Sequence, residues 1–238
     1  MFYVIRLRRL GGWAAALCFL LAGFILLRSL SAIRALQAAG QNDQRPVLVI
    51  DPGHGGFDGG AVAVNGVRES EINLAIGCKL ELLASFFGQR SVMTRSDDST
   101  RTDLVSYSEH EDLVHRAQIV NQLPNAVLIS IHQNFYPTTQ PFGAQVLYAG
   151  DAQSTLLGRI TQSNLVNALQ PENRRLAEPA SPGLYLTANV NCPAILVECG
   201  FLSNYSEMEK LMDNGYQTSI AAVLLASYLQ FLPQMNRL

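Results

Sequence analysis

Three short apolar runs constrain this chain more than any other feature, because each stops at a residue able to bind a metal. "VLVIDPGH" runs into His54, "VLISIH" ends on His132, and "AILVE" ends on Glu198. Runs of this length bounded by turn residues suit buried strands. Between them lie longer stretches with helical periodicity. Residues 71–87 place Ile72, Ile76, Leu80, Leu83 and Phe87 on one side, and residues 109–123 bring Leu113, Ala117 and Val120 into register. Further helices are expected at 154–169 and 217–231, and further strands at 91–95, 145–148 and 184–186. Asn204, with Glu207 three residues on, marks another helix start. Strands alternating with helices predict an α/β fold, a three-layer sandwich with a mostly parallel central sheet flanked by helices. The carboxyl ends of parallel strands share one edge, where ligands bind. The pattern therefore draws His54, His132 and Glu198 together from distant parts of the chain.

Packing explains the strand before His54 but not the glycines around it, Gly53, Gly55 and Gly56. The other two histidines, His110 and His115, fall in "SEHEDLVHRAQ" and read as a solvated helix face. A catalytic zinc site needs a third protein ligand and an open position. Asp51, Asp58, Glu69 and Glu71 are the candidates near His54. Asp51 precedes Pro52 and is expected to be held in the turn, and helix phase leans towards Glu69 while leaving Glu71 open. Other chemistries fit less well. "GHGGFDGG" lacks a GK[ST] and breaks G-x-G-x-x-G at Asp58. There is no G-x-S-x-G for a nucleophilic serine, and no Cys–His pairing can be argued.

The ends of the chain bear on location. Arg6, Arg8 and Arg9 precede an uncharged stretch from residue 10 to 27, long enough to cross a bilayer core. The expected layout is a signal-anchor or signal peptide at 1–28, a polar linker at 29–45 and a catalytic domain at 46–238. The arginine bias directs that domain out of the cytoplasm, and a cleavage site near 38–40 leaves anchor and signal peptide both open. Cys192 and Cys199 stand roughly 20 Å apart on an extended chain, beyond disulfide reach, so the domain rests on its core. A net charge of −2 gives no electrostatic case for nucleic acid.

Taken in order, "DPGHGGFDGGA", "GVRESEINLAI", "VMTRSDD", "LISIHQN" and "PAILVECGFLSNYSEMEKL" resemble the signature segments of the zinc-dependent N-acetylmuramoyl-L-alanine amidases, across residues 46–231. The resemblance implies one Zn2+ held by His54, Glu69 and His132, with Glu198 as a separate catalytic carboxylate, and so favours Glu69 over Glu71. It implies hydrolysis of the amide joining the lactyl group of N-acetylmuramic acid to L-alanine in peptidoglycan, with Glu198 as general base and then acid. A short chain with an N-terminal apolar segment and no wall-binding repeats is most similar to the sporulation- and germination-associated cortex amidases. Residues 150–153 leave no room for the inserted blocking helix that some division-linked relatives carry. Arg95 and Asn134 are candidates for orienting substrate, and Arg95 is also the candidate partner of Glu198 if that carboxylate is structural. Two rival functions remain at this stage: a non-catalytic peptidoglycan-binding module, and a zinc peptidase acting on the stem peptide.

Overall fold

The computed structural model describes residues 44–98 and 108–235. The expected membrane segment, the boundary at residue 28 and nearly all of the linker lie outside the described residues. In chain order the elements are β1 (Val47–Pro52), α1 (Glu69–Phe86), β2 (Arg90–Met93), α2 (Glu109–Asn121), β3 (Ala126–Asn134), β4 (Gln145–Tyr148), α3 (Ala152–Leu169), β5 (Glu178–Pro179), α4 (Tyr185–Ala188), β6 (Ala194–Phe201), α5 (Tyr205–Met212) and α6 (Asn214–Met235).

The strands form one six-stranded sheet in the order β2-β1-β3-β6-β4-β5. The first four run parallel. β4 is antiparallel to β6, and β5 follows β4. The sheet is therefore mixed, parallel through the strands that carry the three apolar runs and reversed beyond them.

Successive strand residues face opposite sides of a sheet, and the core splits accordingly. Leu48, Ile50, Val127, Ile129, Ile195 and Val197 pack on one face against Ile76 and Leu80 of α1, Leu157 of α3, and Leu224, Tyr228 and Phe231 of α6. Val47, Val49, Leu128 and Ala194 pack on the other against Ala117 and Val120 of α2 and Leu186 of α4. Burying each Leu, Ile, Val or Phe side chain contributes about 1.5–3 kcal/mol, which is how two apolar layers fix this sheet. Helix α6 is long and apolar enough to cross a membrane, but its buried residues belong to the first core layer.

Three elements differ from the sequence expectation. Residues 184–186 do not form a strand: after Pro182 and Gly183 the chain turns into the four-residue helix α4, which lays Leu186 onto the second core layer. A three-residue apolar run cannot distinguish a strand from a buried helical turn. The two-residue edge strand β5 is exposed and carries no apolar pattern. Helix α1 begins at Glu69 rather than Glu71, which puts Glu69 inside its first turn.

Candidate metal centre

Alternation along the parallel strands determines what the carboxyl edge presents. Asp51 pairs in register with Ser130, and His132 with Glu198. His54 lies two residues beyond β1 with a left-handed backbone, φ 60°, a conformation uncommon for a residue with a side chain. Glu69 enters from the first turn of α1 and is 3 % exposed.

The three side chains converge. His132 Nδ1 stands 3.0 Å and His54 Nε2 3.3 Å from Glu69 Oε1. One donor atom from each residue lies within 4.8 Å of the other two, and the imidazole rings meet edge to face at 4.9 Å. Glycine makes this closeness possible. A Cβ on Gly53 would sit 2.2 Å from His132 Nε2, and one on Gly60, at φ +65°, would sit 2.6 Å from Glu69 Oε2. Those contacts account for Gly53 beside His54, and for Gly60 further along the loop, better than strand packing does.

Two of the three donors are also aimed by groups outside the cluster. Asp58 Oδ2 lies 2.6 Å from His54 Nδ1, leaving Nε2 turned to the centre, an arrangement typical of metal-binding histidines. Glu69 Oε1 accepts from the backbone N–H of Gln133 at 3.0 Å and from Asn73 Nδ2 at 3.3 Å, while Oε2 accepts from the N–H of Ala61 at 3.0 Å. Burial works against a charged His54, but the carboxylates of Asp58 and Glu69 outweigh it and raise the imidazole to about 10. Burial opposes a charged Glu69 too, yet the two histidines hold it well below the usual carboxylate range.

Glu198 behaves differently. Its Oε2 is buried without a hydrogen-bond partner. Burial, opposed by His132 and reinforced by Glu69, pushes its carboxyl up to about 7. Beside it opens a cleft of about 300 Å³, lined by His132 and Glu198 on the sheet, by His54 just past β1, and by Leu113, Tyr185 and Leu186 from α2 and α4.

The remaining candidates are placed elsewhere. Asp51 is buried and held by Arg116 at 2.8 Å and by the hydroxyls of Thr94 and Ser130 at 2.6 Å, so a side-chain network rather than the Pro52 turn engages it. Glu71 is exposed. Arg95 does not meet Glu198, because its guanidinium binds backbone carbonyls instead. His110 is exposed on α2, as the solvated face predicts, and its ring also packs edge to face on Tyr185 at 5.1 Å. Asn134 ends β3, and its carbonyl accepts from the N–H of Leu202. Asp58 entered the sequence reading only as a possible ligand, and Arg116 not at all.

Two imidazole nitrogens and one carboxylate oxygen, with a cleft on the open side, suit a tetrahedral divalent ion that keeps a free position. Fold and cluster together define a class, α/β proteins built around a metal-capable His–Glu–His group at the carboxyl edge of the sheet. The chain belongs to the N-acetylmuramoyl-L-alanine amidase family, whose model matches residues 48–227, and its activity is amide hydrolysis in peptidoglycan. It is 33 % identical over 196 residues to the germination-specific N-acetylmuramoyl-L-alanine amidase of Bacillus subtilis, covering 79 % of this chain and 80 % of that one. Among solved structures it is similar to the CwlD amidase of Clostridioides difficile in complex with the GerS lipoprotein, at 32 % identity and TM-score 0.75, covering 79 % of this chain and 99 % of that one. A second amidase from Clostridium difficile superposes with TM-score 0.70 at 29 % identity, covering 80 % and 98 % of the two chains.

Proposed function

We propose that His54, Glu69 and His132 hold one Zn2+ and that Glu198 moves the protons in hydrolysis of the muramic lactyl–L-alanine amide, with spore cortex as the wall acted on. The observation that carries this reading is Glu198: a residue that lines the cleft beside three converging donors and keeps one carboxylate oxygen buried without a partner. Two neutral imidazoles and a carboxylate favour zinc over magnesium or calcium. Zinc, when bound, supplies Lewis acidity that lowers the pKa of water and polarises an amide carbonyl.

The chain's own groups do the rest. Glu198 takes a proton from the attacking water and delivers it to the departing alanine nitrogen, as base and then acid. Asp58 engages His54 Nδ1 and so turns Nε2 towards the centre. The walls from α2 and α4 shelter the scissile amide on one side of the cleft.

The cortex assignment is supported by the likeness to a germination-specific amidase. It goes with an extracytoplasmic domain at 46–238, delivered by a signal-anchor or signal peptide at 1–28 and a linker at 29–45. The relative solved with a lipoprotein supports a protein partner for this chain as well.

Digestion of purified peptidoglycan by the full chain, with the new ends identified by mass spectrometry, tests the reaction. Muramic lactyl carboxylates and free L-alanine N-termini are expected, with one zinc per active chain. Cuts within the stem peptide would make the protein a peptidase, and wall retained uncut would make it a binding module.

A further inference from the structure

We infer that Arg95 is a positioning residue for the metal centre, a buried cross-link between the two segments that carry His54 and Glu69. The inference rests on the proposed metal reading and extends it to a residue outside the cluster. Arg95 stands just past β2 and is 8 % exposed. Its Nε donates to the carbonyl of Pro52 at 2.8 Å, and its Nη2 donates to those of Gly53 at 3.1 Å and Ser70 at 2.8 Å. Its Nη1 donates to Asp97 O at 3.0 Å. Pro52 and Gly53 immediately precede His54, and Ser70 immediately follows Glu69. One planar group therefore fixes the backbone on both sides of the gap that a metal must bridge.

Such a tie spans the long loop between His54 and Glu69, beside Asn73 of α1, whose Nδ2 donates to the same Gly53 carbonyl at 3.1 Å. Separated ligands on a free loop would have to be ordered by the ion itself, whereas a prearranged pair binds without that loss. Arg95 is built in tightly. A Cβ on Gly55, at φ +137°, would come within 3.0 Å of its Cδ and Nε, so the arginine side chain packs closely against that glycine. The fork geometry is also specific. A guanidinium presents rigid donors in a plane and reaches several carbonyls at once, while a lysine ammonium is a flexible point charge.

The experiment compares the full chain with Arg95→Lys and with Arg95→Ala, the latter with and without N-methylguanidinium. Zinc affinity is measured by competition with a chromophoric chelator, alongside urea unfolding of the metal-free proteins. Arg95→Lys should stay folded while its zinc dissociation constant rises ~10–100-fold, the loss typical when an outer partner of a ligand is removed. N-methylguanidinium should restore part of the affinity in Arg95→Ala. A purely structural arginine would lower the urea midpoint and leave the zinc affinity of the folded protein unchanged, and that result overturns the inference. Variants that do not fold also count against it, since a positioning role leaves the core standing. Should the wild-type chain bind no zinc, the metal reading itself fails. Should wild type bind zinc and Arg95→Lys bind it equally well, only the role of Arg95 falls.

Discussion

Asp51 and Glu198 are both acids on strands flanking β3 and facing the same side of the sheet, yet the fold treats them oppositely. Burial would raise Asp51, but Arg116 and the hydroxyls of Ser130 and Thr94 bring it down to about 2. Arg116 is itself tied to Asp112 at 2.7 Å and donates to the carbonyls of Pro52 and His54. Every polar atom in that group has work inside the fold. Glu198, on β6 at the far side of β3 from Asp51, keeps an oxygen with no hydrogen-bond partner. A buried unpaired carboxylate is costly, and such a cost is tolerated where the group acts on something outside the protein. On the proposed reading, the pair separates what holds the site from what performs its reaction.

The largest expected effect is on the acting member. Glu198→Gln keeps the shape but cannot exchange protons, so turnover should fall ~10²–10⁴-fold with zinc content and urea midpoint near wild type. His132→Ala should lose zinc and activity together. If Glu198→Gln loses zinc as readily, Glu198 is a ligand and the contrast with Asp51 disappears.

The holding member should show the reverse pattern. Asp51→Asn leaves Arg116 buried with one carboxylate partner fewer. It should cost about 3 kcal/mol of stability in urea unfolding, the low end for breaking a buried pair, because Asp112 still faces the guanidinium. Activity of the protein that remains folded should drop far less than in Glu198→Gln. Equal losses of rate in the two variants would show that Asp51 also takes part in the chemistry.

Asp58 stands between the two cases, a carboxylate that holds a ligand. Asp58→Asn should weaken zinc binding ~10–100-fold while leaving the fold intact. The check is zinc affinity at constant far-UV circular dichroism, and unchanged affinity would remove Asp58 from the centre.

Much of this was legible in the sequence, for physical reasons that also mark where legibility stopped. The apolar runs into His54, His132 and Glu198 announce parallel strands, and parallel strands share an edge, so the convergence could be read before any coordinates. Glu69 could not be separated from Glu71 by spacing, because the helix start that decides it rests on the N–H of Glu69 bonding Ala61 O across a loop. The Asp51 network was hidden because its partners Thr94, Arg116 and Ser130 lie 43, 65 and 79 residues away. No periodicity carries such information. Helix α4 was misread as a strand because three apolar residues carry too little period to tell the two apart.

The smallest effect sharpens the contrast through pH. Asp51 sits at about 2 in the folded protein against an ordinary 3.8. A depressed carboxyl contributes stability that is complete above the unfolded value and is lost as pH falls through the folded one. The window is therefore from 3.8 down to about 2, and at about 1.4 kcal/mol per tenfold change the contribution is roughly 2 kcal/mol. Glu69 is also depressed, so acid unfolding of the wild type alone mixes the two. The difference between metal-free wild type and Asp51→Asn isolates Asp51, since Glu69 is common to both. Unfolding free energies of the two proteins should converge as pH drops across that window and run parallel above it. Curves that stay parallel throughout would mean that Asp51 is protonated to the same degree folded and unfolded, and that the Arg116 network does not hold its charge.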